Sequence, residues 1–373
     1  MSSKYTIKSI FADHRSSFIS TNPPIRPVVL DEVKKVLCCG DPSKGHALYY
    51  CEDCFKFKYV PFRCKSRFCN TCGTAYQTDR ANSIASKLIN CKHRHIVFTI
   101  PEELREFFRK DRTLLKVLFT SAAETVMKWM YNLNKSENFT PGIVAGLHTF
   151  GRDLKWNPHI HMLVTEGGSG NTKVWRHIFY FSYIALRKRW QTTLLHQIEK
   201  HIGKTKFRRI KNNLYSLNPE GFYVHAPPSD LSSPNAVVNY ITRYIGRPAM
   251  AQSRIINYDG QNVTFWYQRH KDDKRVEETV DAITFIKKLI IHIPEKHFNM
   301  LRYYGLYAKH HHHESELIPF MSESLVKIKR ITQRWKHRIE LSFGYDPTQC
   351  SCGKYMEFIK VVTFPSDIVS QPP

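Results

Sequence analysis

Two Cys-x2-Cys pairs, Cys51/Cys54 and Cys69/Cys72, have a spacing that specifies chemistry. Zinc takes four soft ligands at tetrahedral corners, and each pair supplies two of them from a single turn. The four cysteines therefore read as one structural zinc site, closed to water. Cys39 and Cys64 add two further thiols and His46 a nitrogen donor. The spacing leaves open whether these make a second zinc site or exchange with the first four. Lys56, Lys58, Arg63, Lys65 and Arg67 are interleaved with the pairs, so the folded unit could also touch phosphates. Cys350-x-Cys352, near the far end, could complete a zinc site but reads more readily as two lone surface cysteines.

A second constellation is built from histidine and tyrosine. His159 and His161 flank Ile160, and side chains two apart on a strand share a face. Two imidazoles on one face can hold a divalent ion if a third donor joins them. His148, on the expected partner strand, is the candidate. Tyr240 and Tyr244 are spaced i, i+4 and share a helix face, beside Arg243 and Arg247. Tyrosine can act as a covalent nucleophile, and guanidinium groups suit phosphate. Nucleophile, metal chelate and basic surface together point to phosphodiester transesterification.

Several elements must position these residues. HRHIVFTIP reads as a buried strand stopped by Pro101, followed by one or two amphipathic helices. GIVAGLHTFG and HIHMLVTEGG form a hairpin across RDLKWNP, which sets His148 beside the histidine pair. A long basic helical segment follows, then the short strand GFYVHAPP. SSPNAVVNYITRYIGRP is punctuated as a helix by Ser233, Pro234, Gly246 and Pro248. SRIINYDGQNVTFWYQ is a hairpin turning at Asp259-Gly260, and helices resume at VDAITFIKKLIIHIP and near ESLVKIKRITQRWKHRIEL. Without regular βαβ alternation, the fold class is α+β.

Composition bounds the partners. Across 373 residues Lys and Arg number 56 against 32 Asp and Glu, a net charge of +24, so a polyanion is the expected partner. A hydrophobic fraction of 42% excludes a disordered basic tail. No run approaches the roughly 20 apolar residues that span a bilayer, and the first residues lack a signal-peptide core. A cytosolic setting is therefore expected, where ten cysteines are metal ligands or free thiols rather than disulfides.

LHTFGRDLKWNPHIHMLVTEGG resembles the signature of the HUH endonuclease superfamily, in which two histidines bracket a hydrophobic residue. More specifically, the chain is similar to the two-tyrosine rolling-circle transposases of bacterial insertion sequences. CEDC with CKSRFCNTC, the histidine block, YITRYIG and IHIPEKHFNMLRYYGLYA carry the likeness in the family's order. The resemblance implies an N-terminal zinc-binding module followed by an HUH-type antiparallel sheet flanked by helices. The expected division is an arm at 1–30, a zinc-binding domain at 31–92, a catalytic domain at 93–310 and a basic C-terminal extension at 311–373. It implies that His159 and His161 hold Mg²⁺ or Mn²⁺ and that Tyr240 or Tyr244 attacks single-stranded DNA, giving a 5′-phosphotyrosine. The partners implied are the DNA ends of an insertion sequence and target DNA, with no membrane, association with the nucleoid when bound, and room for a homo-oligomer. Asn157 stands where many relatives carry a further histidine. The rival readings are a replication initiator or relaxase with the same nicking chemistry, and a zinc-dependent DNA-binding protein without catalysis.

Overall fold

The computed structural model describes residues 5–21, 24–66, 68–173, 175–228, 231, 236, 240, 249–269, 272–308, 327 and 334–363. Along the chain, α1 (Ile7–Thr21) and α2 (Pro27–Cys38) precede the hairpin β1 (His46–Cys51) and β2 (Lys56–Pro61). α3 (Asn70–Ala85) leads to β3 (His93–Phe98), α4 (Glu102–Lys110) and α5 (Leu115–Leu133). The hairpin β4 (Gly142–Phe150) and β5 (Trp156–Thr165) is followed by two short strands, β6 (Gly167–Gly168) and β7 (Arg176–His177). Then come α6 (Tyr183–Ile202), α7 (Lys204–Leu217) and β8 (Val224–His225). A meander of β9 (Ile255–Tyr258), β10 (Asn262–Gln268) and β11 (Arg275–Asp281) feeds α8 (Ala282–Ile290) and β12 (Leu301–Gly305). α9 (Trp335–Phe343) and β13 (Glu357–Val362) complete the described elements. The architecture is α+β, as the mixed pattern of strands and helices implies.

The central sheet has the order β12-β4-β5-β3-β8, and every pairing in it is antiparallel. Alternation divides its side chains cleanly. Ile96, Phe98, Ile143, Leu147, Ile160 and Met162 enter the main core, with Leu118 and Phe119 of α5 and Trp190 and Leu194 of α6. The opposite face carries the histidines and is covered in part by Ala81, Ile84 and Leu88 from and just after α3. With both faces covered, β4 is buried at all but its last residue, which explains its almost unbroken apolar sequence. At the end of β12, Gly305 has φ 57°, and a Cβ there would stand 1.9 Å from the Pro141 carbonyl oxygen. Only glycine fits that crossing.

Two boundaries differ from the sequence reading. The described residues of 1–30 do not form an arm: Ile7, Ile10 and Phe11 of α1 and Val29 of α2 are buried in a second core with Ile255, Phe265 and Phe285. α1 carries polar residues around a narrow apolar stripe, which disguised it as a leader. The tail is not a mere extension either. β13 pairs antiparallel with β1, giving a sheet of order β13-β1-β2 that unites residues near both ends of the chain. The expected tyrosine helix lies mostly outside the described residues; Ala236 and Tyr240 are helical. No helix among the described residues is long and apolar enough to cross a membrane.

Candidate active site and metal centres

The six thiols singled out in the N-terminal half do not gather around one centre. Cys39, Cys64, Cys69 and Cys72 form one cluster, and Cys51, Cys54, Cys350 and Cys352 form another. In the first, Cys39 and Cys72 Sγ are 3.5 Å apart, Cys64 and Cys72 3.6 Å, and Cys39 and Cys69 3.7 Å. In the second, Cys54 Sγ stands 3.4 Å from Cys51, 3.3 Å from Cys350 and 3.6 Å from Cys352. Sulfurs bound to zinc at about 2.3 Å on tetrahedral corners stand about 3.8 Å apart. A disulfide would require about 2.05 Å. Both clusters therefore fit four-thiolate zinc, and the two Cys-x2-Cys pairs belong to different sites.

Local structure explains the division. CEDC forms the turn between β1 and β2, whereas Cys69 caps α3 and Cys72 lies in its first turn. Cys39 follows α2 and approaches from the other side. Cys350 and Cys352, read above as lone surface cysteines, complete the CEDC site from the turn before β13. His46 joins neither cluster; its Nδ1 donates to the Pro42 carbonyl at 2.8 Å.

On the central sheet, His148 of β4 pairs in register with His159 of β5, and Gly146 with His161. The ring nitrogens of His148, His159 and His161 lie within 4.8 Å of one another. His159 Nε2 and His161 Nε2 are 3.1 Å apart. Two nitrogens bound at about 2.1 Å and cis to each other would stand about 3 Å apart, so the trio fits a divalent ion. His159 Nδ1 donates to the Asn157 carbonyl at 2.7 Å, which leaves Nε2 as the ligating atom. Position 157 thus contributes its backbone carbonyl. Burial, followed by the neighbouring histidines, holds the His161 pKa well below the ordinary value. The ring is neutral and its lone pair is available.

The turn of this hairpin is tied down by His292, just past α8. Its Nε2 donates to the Leu154 carbonyl at 3.0 Å, and its Nδ1 accepts from Thr149 Oγ1 at 3.1 Å. At the start of β5, the Trp156 indole N–H donates to the Arg105 carbonyl at 2.9 Å.

The sequence reading missed His95. It lies on β3, on the same face as the trio, with Nε2 3.1 Å from His161 Nδ1 and the two rings stacked. The signal was present, since His93-Arg94-His95 repeats the His-x-His spacing on a neighbouring strand. His93 has a different use: its Nδ1 donates to the Cys91 carbonyl and its Nε2 accepts from the buried Tyr307 hydroxyl at 2.8 Å. His225, on β8, stands edge-on to His95 at 6.4 Å.

Tyr240 lies on the histidine face. Its ring centroid is 4.7 Å from that of His95, and its side chain packs in the cluster of Leu163, Leu231 and Ile84 at 6% exposure. Tyr244, Arg243 and Arg247 lie outside the described residues.

The family model described as "Transposase zinc-binding domain" matches residues 10–100, and the one described as "Putative transposase" matches 142–315. The chain thus carries, in succession, a transposase zinc-binding domain and a transposase domain. It is 29% identical over 329 residues to the transposase of the insertion sequence element IS801 of Pseudomonas savastanoi pv. phaseolicola, covering 83% of this chain and 78% of that one. It is 24% identical over 363 residues to "Putative transposase y4qJ" of Sinorhizobium fredii, covering 90% and 89% respectively. No solved structure matches. A transposase with these two domains is a DNA-cleaving, strand-transferring enzyme with a zinc-binding module. Cys350 and Cys352 lie beyond both matched regions.

Proposed function

We propose that the transposase nicks and rejoins single-stranded DNA at the ends of its element through a tyrosine ester. The observation that carries this reading is the meeting of three imidazoles with Tyr240 on one sheet face, His95 lying between His161 and the tyrosine ring. His148, His159 and His161 would hold a divalent ion there, and Mn²⁺ suits three imidazoles better than Mg²⁺, which prefers oxygen. Bound at that point, such an ion supplies Lewis acidity and a template for in-line attack. The tyrosine hydroxyl forms a bond to phosphorus while the bond to the 3′ oxygen breaks, leaving a 5′-phosphotyrosine and a free 3′-hydroxyl. The phosphodiester energy is conserved, so a 3′-hydroxyl can reverse the attack on a new strand.

Tyr240 is the proposed first nucleophile and Tyr244 the second, with Arg243 and Arg247 steadying the transferred phosphate. Because Tyr240 is 6% exposed, its hydroxyl must turn out of the apolar cluster when DNA engages. Binding energy from the rest of the strand would drive that motion. Each four-thiolate cluster would hold one structural zinc.

The test incubates the chain with labelled single strands from the element's ends in Mn²⁺ and looks for a covalent adduct. The Tyr240→Phe/Tyr244→Phe double variant should form none. His161→Ala should lose cleavage yet still bind DNA, because phosphate contacts are spread over many basic residues. An adduct formed by the double tyrosine variant would sink the assignment.

A further inference from the structure

We infer that a cleft between the β13-β1-β2 sheet, α3 and α9 is a stacking groove for single-stranded DNA, distinct from the histidine face. The inference deepens the reading of the chain as a single-strand transferase. The cleft has a volume of about 620 Å³. Its floor is one face of the sheet. Ala47 pairs with Val60 and Val361, and Tyr49 pairs with Lys58 and Phe358, so these six side chains share that face. A register shift in β13 lets Val361 and Phe358, three apart, point the same way. Thr71, Ala75 and Asp79 of α3 form one wall at helical spacing. Trp335, Arg338, Ile339 and Phe343 of α9 form the other, at i, i+3, i+4 and i+8.

The cleft holds aromatic surface in water. Phe358 is 56% exposed, Tyr345 47% and Phe343 38%, and α9 buries no residue at all. Apolar surface kept open in this way marks a binding site. Charge selects the occupant. Among the described residues, Lys58, Arg63, Lys65 and Arg338 line the cleft against a single acid, Asp79. A polyanion that also presents flat apolar rings satisfies both features, and a single strand does so, whereas a duplex hides its bases.

The position suits the reaction. The first half of α3 faces the cleft, while Ala81 and Ile84 at its other end pack on the histidine side of the central sheet. Its 16 residues span about 24 Å. A strand in the cleft is therefore held a few nucleotides from the histidines.

The experiment uses the full chain with its zinc and no added Mg²⁺ or Mn²⁺. Fluorescence anisotropy reports binding of a labelled oligothymidine and of a duplex of equal length. Phe358→Ala and Phe343→Ala should each weaken the single strand about tenfold, within the range seen for losing one base stack, and leave the duplex unchanged. Arg338→Ala lies on a helix with no buried residue, so it tests the groove without threatening the fold. It should reduce the dependence of log affinity on log salt by about 0.7. Unchanged single-strand affinity in Phe343→Ala and an unchanged salt slope in Arg338→Ala would overturn the groove. Failure of the nicking reading looks different: the wild type would bind but form no covalent adduct.

Discussion

His95 shows at the residue scale what spacing conveys and what it does not. His159 and His161 were legible because the strand period is two and a local pattern sufficed. His148 needed one further step, a hairpin between neighbouring strands. His95 needed the pairing of β3 with β5, across 66 residues, and no local period announces that. In the fold it meets His161 Nδ1 at 3.1 Å, so with an ion held at Nε2 His161 would donate its Nδ1 proton to His95. Such outer partners orient a ligand without touching the ion. His95→Ala should therefore weaken Mn²⁺ binding about 10- to 100-fold, and His95→Gln, which keeps an acceptor, should recover part of the loss. Titration of Mn²⁺ followed by its electron paramagnetic resonance measures this directly. Equal Mn²⁺ affinity in wild type and His95→Ala would assign His95 to packing alone.

Among the elements, the β4–β5 and β9–β10 hairpins and the amphipathic helices could be read from their sequence, since their partners are neighbours. α1 could not, because its apolar stripe has meaning only beside the β9–β11 meander it covers. β11 was also hidden, because Arg275, Glu277, Glu278 and Asp281 leave only Val276 and Val280 as apolar marks on an edge strand. His292 illustrates how elements are joined: it links the end of α8 to both sides of the β4–β5 turn. Burial pushes its pKa down to about 4, from about 6.5 in an unfolded chain. The folded value is the lower one, so the stabilisation is complete above about pH 6.5 and is lost as pH falls toward 4. The loss amounts to about 3 kcal/mol. Urea midpoints across this range should fall more steeply for wild type than for His292→Gln, which has no proton to gain. Parallel curves for the two proteins would count against the linkage.

At the scale of the whole molecule, the chain is closed on itself. Cys51 and Cys352 are 301 positions apart yet share one thiolate cluster, and β13 lies beside β1. Sequence spacing joined the two nearby Cys-x2-Cys pairs because it cannot register a ligand from the far end. Purified chain should carry two zinc ions by elemental analysis. The Cys350→Ser/Cys352→Ser variant should carry one, and its Cys51 and Cys54 should alkylate rapidly while Cys39, Cys64, Cys69 and Cys72 remain protected. Two zincs in that variant would refute a site shared between the ends. Such closure also imposes an order in time. At about 5–20 residues per second, a ribosome needs about 15–60 s to travel from the first pair of these ligands to the second. Throughout that interval the first pair waits half-coordinated on a nascent chain. The beginning of the protein is therefore finished last, and a chain that terminates early never completes the module that opens it.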